Sequence, residues 1–245
     1  MASEARSDGV EDRLGISRRQ GERWGQFVSR VGNAFGLVLL LLIGTYVLGS
    51  LTGSDGWTAA LTTLVATTAG VVALASAGAR LVVVRVAAAL GTGAVICAVL
   101  SAILDDRTLL GVSGFITAFL LLIAAGAVLR TVVTTADVGF RTILGAISVY
   151  IILGLLFSFL YIAIDRIQGS PFFGADTTIH DGDTLLFSFY TLTTTGYGNL
   201  VPAGQPGKLF AGLEMLIGNI FLVTLVAGLV SLWRPGGFAR RRGDG

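Results

Sequence analysis

The stretch Thr193-Thr194-Thr195-Gly196-Tyr197-Gly198-Asn199 holds the residues whose types and spacing best suit chemistry in this sequence. Two glycines separated by one residue open backbone conformations that other residues avoid. Successive main-chain carbonyls can then point the same way, toward a common axis. A carbonyl oxygen is the negative end of a dipole, so it stabilises a cation without a fixed charge and still lets it leave. The Thr194 hydroxyl adds one further oxygen at the inner end of such a row. One chain supplies too few oxygens to replace an ion's hydration shell, whereas four copies around an axis would stack them in rings. Covalent chemistry is not expected. A single Cys and a single His leave no disulfide framework and no Cys/His metal cluster within one copy. No His, Cys or carboxylate grouping resembles an active site, so the chain reads as a non-enzyme with no cofactor.

The elements around this stretch must hold it. Before it runs Asp183-Thr184-Leu185-Leu186-Phe187-Ser188-Phe189-Tyr190-Thr191-Leu192, mostly apolar and helix-compatible. That is too short to cross a bilayer and suits a re-entrant helix, with Asp181 or Asp183 as its N-cap. Residues 165–183 are polar and contain glycine, as an exposed turret would. Irregular backbone at membrane depth is tolerated only where protein buries it or where it lines a water-filled path.

The remaining chain sets the membrane context. Of 245 residues, 53% are hydrophobic and 13% charged, with a mean hydropathy of +0.81. Soluble domains carry about 25% charged residues, so a conventional globular enzyme and a disordered chain are both excluded. Six apolar stretches, 34–51, 57–79, 81–104, 108–129, 143–164 and 209–233, reach the length of about 20 residues that a membrane helix needs. The expected fold is therefore all-α: six transmembrane helices plus a re-entrant pore helix and loop. It divides into a cytoplasmic tail (1–32), a four-helix peripheral domain (33–142), a pore domain (143–235) and a basic cytoplasmic tail (236–245). No apolar run precedes Ala34, so no cleavable leader is expected. With the N-terminus inside, fourteen of the 17 Lys and Arg residues fall on the inner side. Only Arg107, Arg166 and Lys208 fall outside, as the positive-inside rule requires. Asp55, Asp105, Asp106, Asp165, Asp176, Asp181 and Asp183 fall outside too. A cell-membrane location with both termini cytoplasmic follows.

The run Thr194-Thr195-Gly196-Tyr197-Gly198, set between a half-length helix and Leu200-Val201-Pro202 with a last span, resembles the filter of tetrameric potassium channels built on the two-helix pore module. The resemblance covers about residues 143–233, and four preceding spans are similar to the six-span members of that superfamily. It implies a homotetramer that passes K+ passively, with K+ held at Thr194, Thr195, Gly196 and Tyr197 and with Gly198 permitting the outer turn. It also marks Gly218 as a candidate hinge of the inner helix, the alternative being close helix packing. Asn219 either faces a water-filled cavity or bonds another helix. The family usually has an acidic residue at the position of Asn199, and some simple members have Glu at that of Tyr190. A carboxylate brace behind the filter is thus absent, and a Tyr190–Asn199 hydrogen bond is the expected substitute.

Other features narrow the function. The fourth span has Arg107 and Arg130 only at its ends, so it holds no interior charge to move in the field and no voltage sensor is expected. With about a dozen residues after Trp233, no ligand-binding unit is expected there, and Arg240-Arg241-Arg242 suits topology or anionic lipid headgroups rather than nucleic acid. His180 stands near the outer mouth, where exposed histidines are usually incidental and four copies would titrate near neutral pH. Glu214, early in the last span, must face protein or water, and Cys97 reads as a packed thiol. The rival readings are a potassium-transporter subunit, whose chains repeat the pore unit internally, a weakly selective cation channel, and a membrane scaffold that carries Gly-Tyr-Gly by coincidence.

Overall fold

The computed structural model describes residues 35–51, 56–134, 140–174 and 181–232. The described residues form seven helices and no strand: α1 (Phe35–Leu51), α2 (Gly56–Ser76), α3 (Leu81–Leu104), α4 (Arg107–Thr134), α5 (Phe140–Ile167), α6 (Asp181–Leu192) and α7 (Gln205–Leu232). Both terminal tails, residues 175–180 of the expected turret, His180 among them, and Trp233 lie outside the described residues.

Five of the helices, α2 to α5 and α7, are long and apolar enough to cross a membrane. At 17 residues α1 is shorter, about 25 Å at the α-helical rise, and the chain ahead of Phe35 lies outside the described residues. The all-helical membrane fold is thus present, while the first expected span is represented by an apolar helix of less than full length.

Local chemistry explains the breaks. α2 stops at Ser76 rather than near residue 79. Gly78 takes a left-handed φ of 72°, and the N–H groups of Gly78 and Ala79 bond back to the carbonyls of Ala75 and Leu74 at 3.1 Å each. This is the Schellman arrangement, which a glycine at that position makes cheap. Between α3 and α4, Asp105 adopts φ 53°, and Asp106 Oδ1 accepts from the Thr108 amide at 2.8 Å, capping α4. α7 begins at Gln205, four residues before the expected start, because Pro206 is accommodated in a first turn whose amides need no helical partner.

Packing uses small residues, as expected where lipid supplies no hydrophobic drive between helices. A Cβ on Gly70 would fall inside the Leu120 side chain, and one on Gly114 would sit 2.9 Å from the Phe159 carbonyl. α4 therefore lies close against both α2 and α5. α1 reaches the half-length helix directly: Tyr46 meets Phe189 edge-on, ring centroids 4.9 Å apart, and Gly49 lies against Leu185. The four-helix region thus touches the pore region through α1 as well as α4.

Candidate ion-conduction site

The half-length α6 has 12 residues, about 18 Å, and begins at Asp181. It sinks Leu185, Phe187, Ser188, Tyr190, Thr191 and Leu192 into the protein. An aromatic cluster anchors it, with Phe187 within 5.0–5.3 Å, centroid to centroid, of Tyr161, Phe173 and Tyr190. The first residues of the expected turret close over the cluster: Ala203 N–H donates to the Phe172 carbonyl at 2.8 Å, and Asp165 Oδ1 accepts from Phe172 N–H at 3.0 Å.

The motif hangs from the C-terminus of α6. Thr194 N–H donates to the Thr191 carbonyl at 3.0 Å and Thr195 N–H to that of Tyr190 at 2.8 Å. The pattern is again a Schellman cap, here with a threonine at the left-handed position, φ 57°. A β-branched residue at positive φ is a real outlier, held because the helix end, the Thr193–Thr195 hydroxyl contact at 2.8 Å and the chain beyond over-determine it. Gly196 and Gly198 follow with φ of 56° and 79°, while Thr195 and Tyr197 keep negative φ. Handedness therefore alternates over residues 194–198. Backbone of alternating hand gathers successive N–H groups on one side of a chain, which leaves the other side open to its carbonyls.

This ribbon is exposed in the single chain. Residues 193–199 are all open, between buried Leu192 and buried Leu200, and Tyr197 is 71% exposed. Behind it the brace differs from the expected one. Tyr190 Oη donates to the Leu200 carbonyl at 2.8 Å, not to Asn199, whose side chain is exposed. The chain turns after Gly198 so that a main-chain carbonyl, rather than the side chain before it, falls over the pore helix. Tyr190 also meets the Tyr197 ring edge-on at 5.8 Å, so one phenol supports the ribbon at two places.

The last helix completes the site. Gly218 is buried and close-packed: a Cβ there would lie 2.3 Å from the Leu192 carbonyl oxygen, and α7 runs unbroken through it. Its neighbour Asn219 is exposed, on a face shared with Leu216, Ile220 and Val223. Glu214 is fully buried, and the partners no sequence pattern could supply are Tyr161 of α5, donating to Oε2 at 2.5 Å, and Ser188 of α6, 2.5 Å from Oε1. α5 contributes a further bond, Tyr150 Oη to the Leu192 carbonyl at 3.3 Å. The candidate residues Tyr190, Tyr197, Glu214 and Gly218 thus all lie on or against α6 or its extension, whereas Asn199 and Asn219 are exposed.

α4 carries Arg107 as its first residue and Arg130 in its last turns, both exposed, and is apolar between them. Among the described residues, no cluster of three or more His, Cys, Asp or Glu could hold a metal ion.

Residues 146–234 match the family model described as an ion channel. The match covers most of α5, the half-length helix, the ribbon and α7, so this part of the chain is similar to an ion-channel domain, on a framework of apolar helices long enough to cross a membrane. No curated protein and no solved structure matches the chain.

Proposed function

We propose that the protein is a potassium-selective channel in which four copies bring residues 194–198 together around one axis. The carbonyls of Thr194, Thr195, Gly196 and Tyr197 then form stacked rings that replace the water around K+, and Gly198 turns the chain outward. Transport is passive, and no enzymatic step is involved. The observation that carries this reading is the left-handed φ at residues 194, 196 and 198 of a ribbon that is exposed in one chain and flanked by buried residues.

The membrane helices support the assembly. α5 buries 61% of its apolar stretch within one chain, whereas α7 buries 17%. A helix that extends from the ribbon and leaves its apolar residues uncovered is the surface on which neighbouring copies pack. α4 has no interior charge, so opening is not driven by a dedicated voltage sensor. The protein resides in the cell membrane with both termini cytoplasmic, where the C-terminal arginines meet anionic lipid.

Purified protein in liposomes tests the reading. K+ and Rb+ uptake is expected to exceed Na+ uptake by orders of magnitude, and equal uptake overturns it.

A further inference from the structure

Three short oxygen–oxygen contacts form a chain through Glu214 and Ser188, and their protons can be counted. Tyr161 Oη lies 2.5 Å from Oε2. Ser188 Oγ lies 2.5 Å from Oε1 and, on its other side, 2.6 Å from the Gly154 carbonyl of α5. The Gly154 oxygen can only accept, and Ser188 owns one proton. If Glu214 is ionised, Tyr161 and Ser188 supply two protons for three contacts. One pair of lone-pair-bearing oxygens then faces across 2.5 or 2.6 Å with nothing between them. If Glu214 is protonated the chain closes: the carboxyl donates to Ser188, Ser188 to the Gly154 carbonyl, and Tyr161 to the other carboxyl oxygen.

We propose that Glu214 is a positioning residue that works as a neutral carboxylic acid, its proton completing a chain that fastens the pore helix to the helices on either side. The surroundings agree. Tyr161 faces the carboxyl from α5, with Tyr150 farther along the same helix, and α6 presents Ser188, which does not titrate in this range. No Lys, Arg or His among the described residues pairs with Glu214, and a lone buried carboxylate is costly.

The register gives the chain its consequence. Glu214 meets Ser188, and one turn on Gly218 meets Leu192, the last residue of α6 before the ribbon. α7 therefore docks on α6 at two successive turns, one by a proton and one by close backbone approach. Loss of the first releases the helix from which the ribbon hangs. This consequence, though not the proton count, rests on the proposed pore.

The test combines infrared spectroscopy with flux on full-length protein in liposomes at neutral pH. Wild type is expected to show a protonated-carboxyl C=O band that Glu214→Gln lacks. Gln can present an N–H donor to Ser188 and a carbonyl acceptor to Tyr161, so Glu214→Gln is expected to conserve the wild-type K+ flux and K+/Na+ ratio. Glu214→Ala is expected to lose about tenfold or more, since it strands Ser188 and Tyr161. Absence of the band, or a Glu214→Gln variant no better than Glu214→Ala, overturns the proposal. A band present in a wild type that passes Na+ as readily as K+ overturns the pore reading and leaves the neutral carboxyl standing.

Discussion

Hydroxyl groups behave differently in the two parts of this molecule. In α1–α4 they bond mostly to their own helix one turn back: Thr45 to Leu41, Thr62 to Thr58, Thr67 to Thr63, Thr92 to Ala88 and Thr117 to Ser113, all at 2.8–2.9 Å. Thr131, which also reaches the Ala77 carbonyl just past α2, and Ser101, which bonds the Asp106 carbonyl beyond the end of α3, are exceptions among the described residues. Around α6 the polar side chains reach across elements instead, as Tyr161 and Ser188 to Glu214, Tyr190 to Leu200, Tyr150 to Leu192 and Asp165 to Phe172 do. Back-bonding satisfies a polar group in lipid but specifies nothing about neighbouring helices. Bonds between elements specify where backbone atoms stand. The four-helix region is held by shape, and the ribbon by directed contacts.

Substitutions should separate the two regimes. The largest effect is expected at the ribbon itself. Gly196→Ala meets no atom within 4 Å in one chain, so its penalty is conformational, about 1–2 kcal/mol per residue for a left-handed non-glycine, imposed in every copy at once. Flux should fall to background while the proposed four-copy assembly persists in cross-linking or native gels; retained flux would remove the need for left-handed geometry at that position.

Next is Gly218→Ala. Its Cβ would overlap the Leu192 carbonyl oxygen, and neither helix backbone can yield without moving the ribbon. Overpacking of this kind costs about 1–3 kcal/mol, so thermal stability of the assembly and flux should fall together. A variant of normal stability and flux would show that the close approach is dispensable.

Tyr190→Phe is subtler, because the ring and its contact with Tyr197 survive. The buried Leu200 carbonyl loses its donor, a penalty of about 1–3 kcal/mol. K+/Na+ selectivity or the lifetime of the conducting state should drop without loss of assembly, as single-channel recording can show. The smallest effect is expected in the peripheral region. Thr117→Val removes a hydroxyl that bonds only its own helix, and a change of about 0.6 kcal/mol or less should leave flux and melting temperature near wild type. A large loss there would erase the distinction between the two regions.

Local signals made much of the fold legible. The turn at Gly78 and the cap at Asp105-Asp106 are decided within a few residues, as are the half-length of α6 and the glycine spacing of the ribbon. Pro206 also marked the start of α7 four residues early, a signal that hydropathy alone passes over. The partners of Tyr190 and Glu214 were not legible for a different reason. They are set by three helices meeting, and residues 161, 188 and 214 have no periodic relation to one another. For the same reason Asn199, adjacent to the ribbon and polar, was the natural partner for Tyr190 by sequence, while the folded chain offers the Leu200 carbonyl instead.

Single-channel recording with K+ on one side of the bilayer and Na+ on the other addresses the claim that main-chain oxygens from four ribbons take the place of water around a potassium ion. Currents should reverse at a large voltage of the sign set by K+ alone, since a dehydrated Na+ is poorly matched to those rings. Reversal near zero, with both ions carrying comparable current, would contradict it.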